Sequence, residues 1–215
     1  GISWEESQRK QRSEEQPLPV TEKLLADKPE HIIEREDYEK MPADNPWDFK
    51  LDVPEYKYNR GEIYNLSVGR GTLSDEERYK INDHMTQTIM MLEQLPYPKH
   101  LREVPKIAGG HHETMDGKGY PRRLTKEDMS LTARMMAIAD IFEALTASDR
   151  PYKKAKTLSE SIRIMSFMKK DNHIDPDLFD LFLSSGVYLK YANQFLEPDQ
   201  IDEVNISDYI KTADG

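Results

Sequence analysis

The 215-residue sequence contains no cysteine, and that absence removes disulfides, thiolate metal sites and cysteine nucleophiles together. Any metal held by this chain must therefore be held by His, Asp or Glu. Positive charge is also short. Lys and Arg number 30 against 40 Asp and Glu, for a net charge of −10. A sequence-independent grip on duplex nucleic acid needs an excess of cations, so no duplex nucleic acid is expected as a partner. A local basic pocket for a small anion remains compatible with this charge. No run approaches the roughly 20 apolar residues that span a bilayer, and the N-terminus has no apolar signal segment. The expected location is the reducing cytoplasm, with any membrane anchor of a parent protein outside this sequence. Gly1 stands where an initiator Met would be, which reads as a piece of something longer.

Hydrophobic residues make up 37% and charged residues 33% of the chain, so its surface is strongly polar. Residues 1–72 carry Pro17, Pro19, Pro29, Pro42, Pro46 and Pro54. Proline lacks the amide donor and clashes with the preceding turn, so this spacing forbids long helices. An irregular, charged arm or insertion is expected there, with Ile32, Ile33, Tyr38, Trp47, Phe49, Leu51 and Val53 available to tack it onto a helical body. A floppy linker is the alternative.

From Leu73 the pattern changes. Ser74 with Glu77 forms a capping-box pattern, and Ile81, Met85, Ile89 and Leu92 then recur at helical spacing until Pro96. A second helix is expected from Arg102 to Glu113, followed by a shaped loop, 116–123, in which Gly117 and Gly119 permit positive φ. A third, at 130–146, is apolar on most sides and expected to be central. Further helices are expected at 158–169 and 176–195, the latter capped by Asp175. An acidic, extended tail is expected from 197 to 215. The fold class is all-α, with a helical domain at 73–196.

The densest chemical signal is His111-His112-Glu113 followed by Asp116-Gly117-Lys118-Gly119-Tyr120-Pro121. Two adjacent imidazoles before a rigid loop converge on a metal if neighbouring helices add ligands; otherwise they are surface or capping groups. His84 falls on the expected apolar stripe of its helix. Asp140 lies within Met135-Met136-Ala137-Ile138-Ala139-Asp140-Ile141-Phe142, where burial of an unpartnered carboxylate is costly. Each alone also reads as a hydrogen-bonded core polar residue. Together with His111 and His112 they form a three-His, one-Asp set suited to an iron, manganese or zinc centre inside a helix bundle.

The ordered strings GGHHETMDGKGYPRRL, LTARMMAIADIFEALTASDRPYKKAKTLSESI and HIDP, preceded by LSDEE with His84 seven residues after Glu77, resemble the HD-GYP family over residues 73–183. The resemblance implies an all-α bundle with two or three metal ions that hydrolyses cyclic di-GMP to linear pGpG or GMP. It implies His84, His111, His112 and Asp140 as metal ligands, with Fe or Mn foremost and Zn, Mg or Ni as alternatives. Glu113 and Asp116 are then the candidate catalytic carboxylates, Glu113 orienting His112 or a water. Lys118, Tyr120, Arg150 and Lys153 are the candidate substrate contacts. Arg150 would give a bidentate grip and Lys153 a point charge, suited to the phosphates of a cyclic dinucleotide; Tyr120 would stack on a base or pack internally. A signalling partner at the GYP loop and a homodimer are further expectations.

The match has gaps. No His-Asp dipeptide occurs anywhere in the sequence, although that pair names the superfamily and its Asp bridges the metals. Arg123 stands where the family usually has Gly, Glu143 where Asp is commoner, and the interval from Asp140 to Arg150 is one residue longer. Two explanations compete: the pair lies upstream, in a longer signalling protein, or it has been lost. The leading expectation is a metal-dependent cyclic di-GMP phosphodiesterase of bacterial signalling, present as a partial domain that is weak or inactive alone. A degenerate domain serving as a ligand-binding or interaction module, and a phosphohydrolase of another nucleotide, are the alternatives.

Overall fold

The structure is a computed structural model that describes residues 3–210 apart from 13, 14, 16, 22, 43, 70 and 149–154. Its chain divides into two compact units, residues 1–84 and 85–215. The division thus falls at His84 and not at the expected 72/73 boundary. His84 is the first residue of a helix whose remainder lies in the second unit, and it is described with that helix.

The first unit is more regular than its proline content suggests. Helix α1 (Trp4–Arg12) lies against a 3-10 turn at Pro29–His31, where Arg9 Nε donates to Glu30 O at 2.6 Å. Strands β1 (Ile32–Glu34) and β2 (Tyr56–Asn59) pair antiparallel, Ile33 opposite Tyr58, with an irregularity between Ile33 and Glu34. Neither strand was expected. Within the segment between them Phe49 is buried and stacks on Trp47 at 5.8 Å, whereas Tyr38 is exposed. Helix α2 (Glu62–Leu66) starts at Gly61, which has no side chain to cap it. Asp27 does so from a distance, accepting the amides of Ile63 and Tyr64 at 3.0 and 3.2 Å. A Cβ on Gly61 would fall 2.3 Å from that same Asp27 oxygen, so the cap requires glycine.

Helix α3 (Asp75–Asn82) begins with the expected capping box: Glu77 N donates to Ser74 Oγ, and Ser74 N to Glu77 Oε2 at 3.0 Å. Strand β2 packs against it, Tyr64 donates its hydroxyl to Glu76 Oε2 at 3.0 Å, and the Arg35 guanidinium sits 4.8 Å over the Tyr79 ring. The arm is therefore built onto α3, not left as a linker.

One long helix was expected from Ser74 towards Pro96. The helix is interrupted at Asp83 and resumes as α4 (His84–Glu93), which buries Met85, Thr86 and Ile89. At the break His84 Nδ1 lies 2.5 Å from Ile81 O, so the imidazole competes for a carbonyl that a continuous helix would give to a backbone amide. Helix α5 is only Val104–Ala108; Pro105 at its start and Gly109-Gly110 after it confine it, so His111 to Glu113 lie beyond its end.

Helix α6 (Leu131–Thr146), capped by Ser130, packs on α5, α7 and α8. It is not apolar-buried all round: Ala133, Ala137, Ile138 and Phe142 face inward, while Leu131, Met135 and Met136 are exposed. Helix α7 (Leu158–Lys170) carries a Thr157–Glu160 capping box. The expected 176–195 helix is two, α8 (Pro176–Ser184) and α9 (Val187–Phe195), divided by Gly186 at φ +73. Ile138 and Phe142 join Leu158, Ile162, Met165, Phe179 and Leu183 in the core, with Phe142 edge-on to Phe182 at 5.1 Å and to Tyr191 at 5.5 Å.

Two polar ties lock this core. Asp175, buried at the α8 N-terminus, caps it through Asp177 N and pairs with Lys126 at 3.2 Å and with Arg134 of α6. Gln200 donates to Thr146 O and Lys156 O at 2.9 and 3.1 Å, satisfying carbonyls at the end of α6 and just before α7. The expected extended tail instead packs inward: Ile201, Val204, Ile206, Tyr209 and Ile210 lie on the core, and Asp202 accepts Ser159 N at 2.7 Å.

Candidate metal centre

Gly109 sets the position of the histidine pair. A Cβ there would lie 2.9 Å from both Ile89 Cγ1 and Pro105 O, so glycine permits α4 and the end of α5 to approach closely. His111 and His112 follow directly, half-buried, with ring centroids 4.3 Å apart. One ring nitrogen from each of His84, His111 and His112 lies within 4.8 Å of the others, and no other such His, Asp or Glu group is found among the described residues. His84 itself is exposed, so the apolar stripe of α4 runs through Met85 and Ile89 and not through His84.

The donor set suits a divalent ion. His111 Nδ1 lies 2.7 Å from Ala108 O, as His84 Nδ1 does 2.5 Å from Ile81 O. A carbonyl only accepts, so in both rings Nδ1 carries the proton and Nε2 is the basic nitrogen, the arrangement of a ligating imidazole held by its outer hydrogen bond. Metal–nitrogen bonds of about 2.1 Å place opposed ligands no more than about 4.2 Å apart. The three nitrogens, all within 4.8 Å of one another, lie close to that spacing. Three imidazoles do not complete a coordination shell. Asp140 is not in the group; it is exposed on α6, where its charge, after burial itself, helps to raise the pKa of the Tyr120 phenol.

The loop after the histidines folds back on them. Tyr120 N donates to His112 O at 3.2 Å, and the Tyr120 ring stacks on the His112 ring at 4.8 Å and 14°. Glu113, buried, accepts Arg122 N at 2.7 Å on one oxygen and Leu124 N at 2.9 Å on the other. Burial pushes its carboxyl pKa up although these amides pull it down. The expected water-orienting carboxylate thus has both oxygens on the loop backbone.

Asp116 is exposed and holds the loop tip together. It accepts Thr114 Oγ at 2.7 Å and pairs with Lys118 Nζ at 2.6 Å; hydrogen bonds from Lys118 and then Thr114 lower its pKa to about 2. Thr114 was missed in the sequence, although a Thr two residues before Asp in a glycine-rich loop is a side-chain turn signal. Lys118 is 82% exposed beyond this pair. Arg123, at φ +57, occupies the left-handed region that favours the family's usual glycine. Arg150 and Lys153 lie outside the described residues. A separate cavity of about 590 Å³, bordered by Tyr97, Arg102, Lys106, Arg122 and Leu124, contains none of the expected site residues.

Within the second unit two adjacent imidazoles precede a glycine-bearing loop, and with His84, at the division between the units, they form a candidate metal centre in a helical protein. The family is specific: the chain belongs to the HD domain family, whose sequence pattern matches residues 19–178, beginning inside the segment expected to be an arm. HD-domain phosphohydrolases are metal-dependent. The chain is 47% identical over 79 residues to a cyclic di-GMP phosphodiesterase of Pseudomonas aeruginosa, covering 36% of this chain and 18% of that protein. It is 36% identical over 116 residues to a 3'3'-cGAMP-specific phosphodiesterase of Vibrio cholerae, 54% of this chain and 26% of the other. With a cyclic di-GMP phosphodiesterase of Thermotoga maritima it shares 34% over 113 residues, 53% and 30% of the respective lengths. The matched segments thus span less than a third of each relative. No helix among the described residues is long and apolar enough to cross a membrane.

Proposed function

We propose that this chain carries part of the active site of a metal-dependent phosphodiesterase acting on cyclic dinucleotides, with His84, His111, His112 and Asp140 as ligands. The observation that carries this reading is the convergence of the three imidazoles, two with Nδ1 anchored on carbonyls. The relatives' names add the substrate class, cyclic di-GMP or 3'3'-cGAMP. Bound iron or manganese would lower the pKa of a water and neutralise charge on the phosphodiester. The chain's own part is to present Nε2 of His84 and His111 on rigid backbone and to bring the carboxylate of Asp140 from α6. Lys118, anchored by Asp116 at the loop tip, offers its exposed ammonium to a phosphate. Arg150 and Lys153 are proposed to grip the phosphates.

The absent His-Asp dipeptide leaves the ligand count short, so the 215 residues alone are expected to hold at most one metal tightly and to turn over slowly. Anion-exchange separation of cyclic di-GMP, pGpG and GMP after incubation with the Mn2+-loaded chain tests this. Slow or absent hydrolysis is expected, and rapid hydrolysis would contradict the partial-site reading. The same missing dipeptide favours a second reading, a binding or interaction module without turnover. Calorimetry singles out a pure interaction module, which ignores both metal and cyclic dinucleotide, whereas a ligand-binding module still takes up the dinucleotide.

A further inference from the structure

Tyr120 was expected either to stack on a substrate base or to pack internally; in the structure its ring lies on that of His112. The rings are nearly parallel, 14° apart with centroids at 4.8 Å, a separation typical of offset stacking. The backbone repeats the tie: Tyr120 N donates to His112 O at 3.2 Å. Next to it, Gly119 is pressed so closely on the histidine segment that a Cβ would lie 2.4 Å from both Glu113 Cα and Thr114 N. Beyond it, Arg122 N and Leu124 N are held by the buried Glu113 carboxylate. Backbone contacts on both sides of Tyr120 therefore fix where its ring can lie. Tyr120 is half-buried, and a ring so seated has little freedom to leave His112 for a ligand.

His84 and His111 are oriented by hydrogen bonds to carbonyls three residues earlier. The His112 ring lies against two others, that of His111 at 4.3 Å and that of Tyr120 at 4.8 Å, the latter nearly parallel. We infer that Tyr120 is a positioning residue for the metal centre, whose ring fixes the orientation of the His112 imidazole through stacking, with the Gly119 approach and the Glu113 carboxylate as the frame that holds it there. This rests on the reading of His112 as a metal ligand. It separates the two properties of tyrosine: the ring is required and the hydroxyl is not. Groups that orient a ligating histidine from outside the coordination shell typically change metal affinity about 10–100-fold when removed.

The test compares the full chain with Tyr120→Phe and Tyr120→Leu, using Co2+ as the probe ion. Phe keeps the ring, so the Co2+ dissociation constant and visible spectrum are expected to stay within about twofold of the parent. Leu removes it, and affinity is expected to fall at least about tenfold, with a changed spectrum and unaltered far-ultraviolet circular dichroism. Equal affinity of Leu and parent would overturn the inference, as would a Phe variant as weak as Leu. A second measurement needs neither metal nor variant. Nuclear Overhauser contacts between the Tyr120 and His112 ring protons are expected in the unmodified chain, and their absence would overturn the stacking on which the inference stands. If those contacts are present but the parent binds no Co2+, the metal-ligand reading of His112 fails, and the positioning role fails with it.

Discussion

The carboxylate of Glu113 accepts the backbone N–H of Leu124, eleven residues further along the chain, at 2.9 Å. Its other oxygen takes Arg122 N at 2.7 Å. One buried side chain therefore closes the loop that lies on His112.

Replacing Glu113 by Ala leaves two amides without their charged acceptor. A fully buried, unsatisfied donor costs about 1–3 kcal/mol, and because these two hydrogen bonds are only part-buried a loss of about 2–4 kcal/mol, short of the full range of about 2–6, is expected in urea unfolding. Hydrogen exchange should speed up at Arg122 and Leu124 in particular. Unchanged protection of those two amides would show that something other than Glu113 closes the loop.

The Asp175 cluster makes stability depend on acid. Burial pushes the Asp175 carboxyl up, but hydrogen bonds from Lys126 and then Arg134 outweigh it and hold the pKa below its ordinary value. The unfolded chain therefore takes up this proton first as pH falls. The stabilisation is complete above the unfolded pKa of about 3.9 and is lost as pH drops through the lower folded value. Asp175→Ala leaves Arg134 without its carboxylate, while Lys126 keeps Asp177 at 3.1 Å, and is expected to cost about 3 kcal/mol at pH 7. Urea midpoints measured from pH 6 to pH 2.5 should fall less steeply at the acid end for this variant than for the parent.

Arg123 occupies φ +57, where a Cβ is unfavourable. Arg123→Gly keeps the backbone amide and relieves that strain. A gain of about 0.5–1 kcal/mol is expected, offset in part by the greater freedom of glycine in the unfolded chain. A lower melting temperature would mean that the arginine side chain contributes more than its backbone geometry costs.

Local signals were legible in the sequence and distant ones were not. Ser74 with Glu77 and Asp175 cap the helices they were expected to cap, because a cap is settled within four residues. The Pro105 and Gly109-Gly110 signals that confine α5 were present but were outweighed by the helical reading of 102–113. Apolar residues surround most of α6, so periodicity could not show that Met135 and Asp140 face outward. Strands of three and four residues are too short to display alternation, and their pairing joins segments more than twenty residues apart. The resemblance singled out His84, His111 and His112, and the structure brings them together. The stacking of Tyr120 on His112 and the reach of Gln200 to Thr146 depend on how the chain folds back, which no local pattern encodes.

The central claim is that His84, His111 and His112 act together as a metal site. Calorimetric titration with Mn2+ of the chain and of His84→Ala, His111→Ala and His112→Ala tests it directly. One saturable equivalent is expected in the parent, weakened at least about tenfold in each variant while the fold persists. No saturable binding to the parent, or binding that survives all three substitutions, would contradict it.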